Sequence, residues 1–189
     1  MATTFYFIRH AQPNYENHND ALRELTEKGL RDRLLVTDFL EDKDIRVVLS
    51  SPYKRSVDTI KHFADKHCME IHIVDGFRER KVDSHWYVMD FAAFVKRQWE
   101  DFNYKLSGGE CLHEVQQRNI KALKAALEEY RGENIVVGSH GAALSTIISY
   151  FDSSFTYHNH EEMPMPWVVK FVFDGDDCVE IEKIDLLLV

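Results

Sequence analysis

A chain of 189 residues, 44% hydrophobic and 29% charged, is long enough to bury one core and too apolar to remain disordered. Its 23 basic and 32 acidic residues leave a formal charge of −9, which excludes a general nucleic-acid binder, because neutralising a phosphate backbone needs an extended basic surface. No apolar run approaches the roughly 20 residues of a membrane span, and the apolar start over residues 1–8 is too short for a signal peptide. Cys68, Cys111 and Cys178 are few and widely spaced, a pattern that suits neither a disulfide framework nor a zinc site. A cytoplasmic protein with no membrane partner is expected.

The first predicted strand covers 4–8 and runs directly into Arg9 and His10. Thr26 then caps a helix in which Leu30, Leu34, Leu35 and Phe39 recur at helical spacing. A second strand, 46–49, leads to Ser51-Pro52, read as a cap with proline at the first helical position, and to a helix over 53–67. A third strand, 71–74, precedes Arg78 and Glu79, and a helix follows over 91–102. Here Trp86, Tyr87, Phe91, Phe94, Trp99, Phe102 and Tyr104 read mostly as helix core, with a few of them lining a substrate cap. The clearest helix spans 110–131, with Leu112, Val115, Ile120, Leu123 and Leu127 on one side and Gly132 past its end. A fourth strand, 134–137, runs into Gly138-Ser139-His140 and a helix over 141–151. Strands at 168–173 and 179–184, joined by the turn Asp174-Gly175-Asp176-Asp177, form a closing hairpin.

Most of these strands are nearly continuous in apolar residues and alternate with helices, which indicates a mainly parallel sheet covered on both faces. The expected fold is α/β, a three-layer α/β/α sandwich with an antiparallel edge strand. With no repeat or linker in the chain, 1–189 reads as a single domain.

In open α/β sheets ligands bind outside the carboxyl ends of the strands, and three such ends carry unusual residues. The first ends in Arg9-His10-Ala11, the second in Ser50-Ser51-Pro52-Tyr53-Lys54-Arg55, the fourth in Gly138-Ser139-His140-Gly141. If these strands are neighbours, two histidines and two arginines meet in one pocket. Neutral imidazole is a nucleophile at physiological pH and accepts a phosphoryl group covalently. Arginine offers donors matched to phosphate oxygens, and the helix starts after Ser51 and Gly141 add backbone N–H groups. A carboxylic acid beside the leaving oxygen completes the set, and Glu79 is the candidate.

Arg9-His10-Ala11-Gln12 resembles the Arg-His-Gly opening of the histidine phosphatase superfamily, the phosphoglycerate mutase-like family. The resemblance continues in the family's order through Leu25-Thr26-Glu27-Lys28-Gly29, the Ser50 to Arg55 segment, Phe77-Arg78-Glu79, Gly109-Glu110 with Arg118, and Ser139-His140-Gly141. It implies a phosphoglycerate mutase-like fold in which His10 is the phosphorylated nucleophile. It further implies that Arg9, Arg55 and His140 form the phosphate pocket, that Glu79 is the general acid and base, and that Ser139 and Gly141 shape the loop around His140. Pro13 and Tyr15-Glu16 replace a hydroxyl residue and an aromatic-Asn pair, so Asn14 or Asn17 is left to supply the missing amide, and Asn17 joins Gly141 among the candidate substrate-binding residues.

Each residue also has a plainer explanation. His10 could be a core histidine bonded to backbone, Arg78-Glu79-Arg80-Lys81 a solvated charge cluster, and Arg118 a structural residue of the long helix. Tyr157-His158-Asn159-His160-Glu161-Glu162 looks like a zinc cluster, but no spaced partner motif supports it, and it reads as a loop near the pocket. The ordered motifs favour a metal-independent phosphomonoester hydrolase, monomer or homodimer, acting through phosphohistidine on a small phosphorylated metabolite without a cofactor. A cofactor-dependent phosphoglycerate mutase and a non-catalytic phospho-ligand regulator are the alternatives.

Overall fold

The computed structural model describes residues 1–83 and 90–188. Six strands form one sheet: β1 (Thr3–Arg9), β2 (Val47–Ser50), β3 (Ile71–Ile73), β4 (Asn134–Ser139), β5 (Trp167–Asp174) and β6 (Asp177–Ile184), in the order β3-β2-β4-β1-β5-β6. The pairs β1–β4, β2–β4 and β2–β3 are parallel, and β5 and β6 add the antiparallel hairpin. Helices cover both faces. Val36 and Leu40 of α1 (Glu27–Leu40) and Ile60, Phe63 and Ala64 of α2 (Lys54–Lys66) pack with Tyr6, Ile8, Val48 and Val136 on one side. On the other, α4 (Leu112–Glu129) and α5 (Gly141–Phe151) bury Leu123, Leu127, Leu144 and Ile147 against Phe5, Phe7, Val137 and Phe171. Alternate residues of β1 thus serve opposite cores, as the two-residue strand period requires.

The expected three-layer sandwich is observed, and the differences from the sequence reading are local. In α1, Thr26 caps as expected, accepting from Gly29 N, but Leu30 and Leu34 are exposed while Gly29, Val36, Thr37 and Leu40 are buried. Gly29 explains the rotation. A Cβ there would stand 2.3 Å from the backbone oxygen of Gln12, so only glycine lets the helix start dock on the segment after β1. Gly29→Ala is expected to destabilise the protein by about 1–3 kcal/mol through overpacking, read as a lower urea midpoint at unchanged m. An unchanged midpoint would show that this approach is soft.

Ser51 does not cap α2. That helix begins at Lys54 with Tyr53 at its N-cap, and the Ser51 hydroxyl accepts from Tyr53 N at 3.2 Å, so it shapes the turn before the helix. β3 is an edge strand with His72 and Ile73 exposed, not buried on both faces. In α3 (Phe91–Glu100), Phe94 is buried but Phe91 is half exposed. Trp86 and Tyr87 lie outside the described residues.

Candidate active site

The sheet order decides the site. β1 and β2 both flank β4, and Arg9 pairs with Ser139 while Ser50 pairs with Gly138, so the three strands end level. His10 N then donates to Ser139 O at 3.2 Å and Ser51 N to Gly138 O at 3.0 Å, bringing the residues after each strand together.

His10 is 5% exposed, and its ring lies 5.3 Å from that of His140, which is fully buried. His10 Nδ1 is 2.8 Å from the Ala11 carbonyl oxygen. A carbonyl only accepts, so Nδ1 carries the proton and Nε2 keeps its lone pair. Arg55 Nε donates to that Nε2 at 3.2 Å. Burial, then the Arg55 charge, pushes the His10 pKa well below the ordinary imidazole value, so the ring is neutral at physiological pH. His140 is held neutral by the same two causes. Its Nε2 pairs with Ser51 Oγ at 2.6 Å, and its buried Nδ1 has no partner among the described residues.

Arg55 is the second residue of α2 and is 3% exposed; its Nη1 donates to Asp20 O at 2.5 Å and pairs with Asp20 Oδ1 at 3.2 Å. Arg9 ends β1. Its Nη1 donates to the Met163 carbonyl and, at 3.3 Å, to Pro164 O, while its buried Nε has no partner among the described residues. Gly141 opens α5 beside this guanidinium; a Cβ there would meet Arg9 Nε at 3.5 Å, which is ordinary contact.

Glu79 reaches the start of α5. Its Oε1 accepts from Ala143 N at 3.0 Å and Arg80 N at 2.6 Å, and its Oε2 accepts from Ala142 N at 3.0 Å. Backbone donors at a helix N-terminus suit an anion there. Behind it, Arg118 donates to the carbonyls of Gly76, Arg78 and Glu79 at 2.6–3.0 Å and pairs with Glu110, which also holds Arg78. Arg118 is therefore the brace of the Glu79 segment, as its place on the long helix suggested.

Asn17 is placed differently from the expectation. Its amide donates to Glu24 Oε2 at 2.7 Å, and Asn14 donates to Glu24 Oε1 at 2.7 Å. The two amides, Asn17 first, lower the Glu24 pKa to about 2. The carbonyl oxygen of Asn17 accepts from Arg23 Nε at 2.9 Å. Arg23 was missed by sequence reading. It is 4% exposed, pairs with Asp20 at 3.2 Å, and its charge helps depress the His10 pKa. The one available signal was a lone cation two residues before the Leu25-Thr26 motif, too weak to choose it.

The two histidines of the 157–162 segment part company. His158 is exposed and pairs with Glu162 at 3.3 Å, while His160, on the short helix α6 (Tyr157–Glu161), turns inward to Ser145 Oγ at 2.8 Å. Burial, with Arg80 and Arg9 adding to it, brings the His160 pKa down to about 4. Folded His160 therefore binds fewer protons than unfolded His160, and stability declines as pH falls through the window from about 6.5 to about 4. Between pH 7 and 5.5 its share of the decline is about 1 kcal/mol, which His160→Gln should remove from the difference in unfolding free energy. An unchanged difference would show that His160 protonates in the folded state.

The histidine phosphatase superfamily (branch 1) model matches residues 5–179. The chain belongs to the histidine phosphatase superfamily. Among curated members, the metal-independent phosphoserine phosphatase of Arabidopsis thaliana is 29% identical over 136 residues, which cover 66% of this chain and 56% of that protein. This member thus aligns with little more than half the length of that curated relative. Among solved structures, Entamoeba histolytica phosphoserine phosphatase in complex with 3-phosphoglyceric acid superposes with a TM-score of 0.77 at 20% identity, over 98% of this chain and 99% of that one. A mycobacterial glucosyl-3-phosphoglycerate phosphatase gives 0.76 at 16% identity, over 97% of both chains. At these identities the likeness establishes the phosphoglycerate mutase-like fold. Among the described residues no helix is long and apolar enough to cross a membrane.

Proposed function

We propose that this histidine phosphatase family member hydrolyses phosphate monoesters of small metabolites in two steps through a phosphohistidine. The observation that carries the reading is His10: a buried, neutral imidazole with its proton fixed on Nδ1 and its Nε2 lone pair facing a guanidinium. An ordinary core histidine has no need of a cation at its acceptor nitrogen. An arriving phosphate dianion suits Arg9 Nε and His140 Nδ1, two buried polar atoms without partners among the described residues, each of which costs about 1–3 kcal/mol while unsatisfied.

In the first step His10 Nε2 attacks phosphorus in line, the N–P bond forms and the bond to the leaving oxygen breaks. Arg55 turns its donors from Nε2 to the phosphoryl oxygens, and Arg9 holds the others. Protonated Glu79 hands its proton to the leaving alkoxide, and the N–H groups of Ala142 and Ala143 hold the carboxylate that remains. In the second step this carboxylate takes a proton from water, whose oxygen attacks phosphorus, and inorganic phosphate leaves. The curated Arabidopsis relative, named a phosphoserine phosphatase, and the solved relative bound to 3-phosphoglyceric acid both concern small phosphate monoesters, which supports this substrate class.

The test is release of inorganic phosphate from small monoesters with chelator present. Activity retained in chelator is expected. Activity restored only by added divalent metal would overturn the metal-independent reading, and efficient interconversion of phosphoglycerate isomers would reassign the chain as a mutase.

A further inference from the structure

Ser51 is a fully buried hydroxyl to which the two-step chemistry gives no role. Its N donates to Gly138 O at 3.0 Å, which fixes the residue beside the end of β4. Its Oγ accepts from Tyr53 N at 3.2 Å and lies 2.6 Å from His140 Nε2. Between a hydroxyl and an imidazole nitrogen either atom can donate, so the surroundings must decide the direction. A neutral imidazole carries one proton, and burial with the Arg55 charge keeps His140 neutral. Suppose that proton sat on Nε2 and pointed at Ser51. The Ser51 hydroxyl would then be a buried donor with no acceptor among the described residues, and His140 Nδ1 a buried lone pair with no donor. With the hydroxyl donating to Nε2, Ser51 is satisfied, and the Nδ1–H of His140 is the single group left over. Buried polar groups seek partners, which favours the second arrangement.

The turn before α2 is built to hold that arrangement. Tyr53 N occupies one lone pair of Ser51 Oγ, and the Tyr53 ring lies 5.3 Å from the His140 ring with the planes 66° apart. The Arg55 guanidinium covers Tyr53 at 5.0 Å from its centroid. The two histidines of the site are thereby given opposite tasks by their neighbours. The Ala11 carbonyl places the His10 proton on Nδ1 and frees the Nε2 lone pair for phosphorus. At His140 the left-over nitrogen must instead carry a proton, because a lone pair there would repel a phosphoryl oxygen.

We propose that Ser51 is a positioning residue, which donates its hydroxyl proton to His140 Nε2 and so fixes the Nδ1–H tautomer that His140 offers to the phosphoryl oxygens. The inference rests on the phosphatase reading for what that N–H meets, whereas the tautomer is a property of the free protein and is measured without turnover.

The experiment reads the tautomer from ring-nitrogen shifts in proton–nitrogen correlation spectra of protein labelled at histidine, at neutral pH, with His140 assigned by the signals lost in His140→Gln. Wild type is expected to show a protonated Nδ1 and a bare Nε2, unchanged when inorganic phosphate is added, because the proton is already in place. In Ser51→Ala the signals should move toward a mixture of tautomers, with kcat/KM lowered by about ten- to a hundredfold, the usual effect of removing a group that orients a functional imidazole. Ser51→Thr keeps the hydroxyl and should restore the tautomer and most of the activity. Where Ser51→Ala does not fold, Ser51→Cys, a near-isostere with a weaker donor, should show the same movement to a smaller extent. A protonated Nε2 in wild type, or a proton that changes nitrogen when phosphate binds, overturns the proposal. Activity lost with the tautomer unchanged also overturns it and leaves Ser51 a structural residue of the turn. Failure of the phosphohistidine chemistry shows separately, as activity that persists in His10→Ala.

Discussion

His10→Ala is expected to lower kcat on any phosphate monoester by at least about three orders of magnitude, because the phosphoryl group loses its covalent acceptor. The geometry makes the expectation specific. His140 and His160 are engaged differently, since His140 Nε2 is taken up by Ser51 Oγ and His160 Nδ1 by Ser145 Oγ. The substitution leaves Arg9, Arg55 and His140 in place, so inorganic phosphate should still bind. Rapid acid-free quenching of the wild type should trap a label on the protein that His10→Ala lacks. Undiminished turnover in the variant would mean that the nucleophile is another group or water itself. Because burial and Arg55 hold the His10 pKa well below the ordinary value, the nucleophile stays neutral as pH falls below about 6.5. An acid limb centred near that value would contradict the environment described for it.

Glu79→Gln is expected to lower kcat on alkyl phosphates by about 10²- to 10⁴-fold, the range of a positioned acid–base group. The amide retains the shape but neither gives a proton to an alkoxide nor takes one from water. Leaving-group chemistry divides the two roles. A nitrophenolate departs without protonation, so the variant should release about one equivalent of it in a burst and then stall at phosphohistidine. With an alkyl ester the first step also fails and no burst appears. A loss within about threefold on both ester types would remove Glu79 from the mechanism. The amide also brings its own N–H donors against either Ala142 N or Ala143 N, so a modest loss of stability accompanies the substitution and is measured beside it.

Much of the site was legible because strand-end residues are marked by chemistry that folding has no use for. Arg9-His10 and Ser139-His140 follow apolar runs directly, where a surface turn would ordinarily stand, and both histidines are buried in the structure. The helix over α4 was legible through its apolar stripe, and Leu112, Val115, Ile120, Leu123 and Leu127 are all buried. The apolar stripe of α1 misled, since Leu30 and Leu34 face solvent and a close approach at Gly29 sets the buried face. Periodicity reports which residues are apolar along a helix, whereas the contact that orients the helix is made by a residue with no side chain at all.

Asn17, Arg23 and Arg80 show the other limit. The missing amide points to Asn17 in sequence, but its N–H donates to Glu24 Oε2, seven residues away, at 2.7 Å. Arg80 reads in sequence as part of a solvated charge cluster and nothing in the sequence singles out Arg23, yet each is nine-tenths buried or more. By itself the sequence determined the alternation of strands and helices, the parallel sheet, and the chemical identity of the residues at three strand ends, because these depend on local periodicity and on residue type. Only the tertiary structure decided that β1 and β2 both flank β4, that their ends are level, that the N–H groups of α5 receive Glu79, and which cations lose their water. Those facts depend on contacts between segments distant in sequence, such as Arg9 with Ser139, Ser50 with Gly138 and Glu79 with Ala142, which no local pattern encodes.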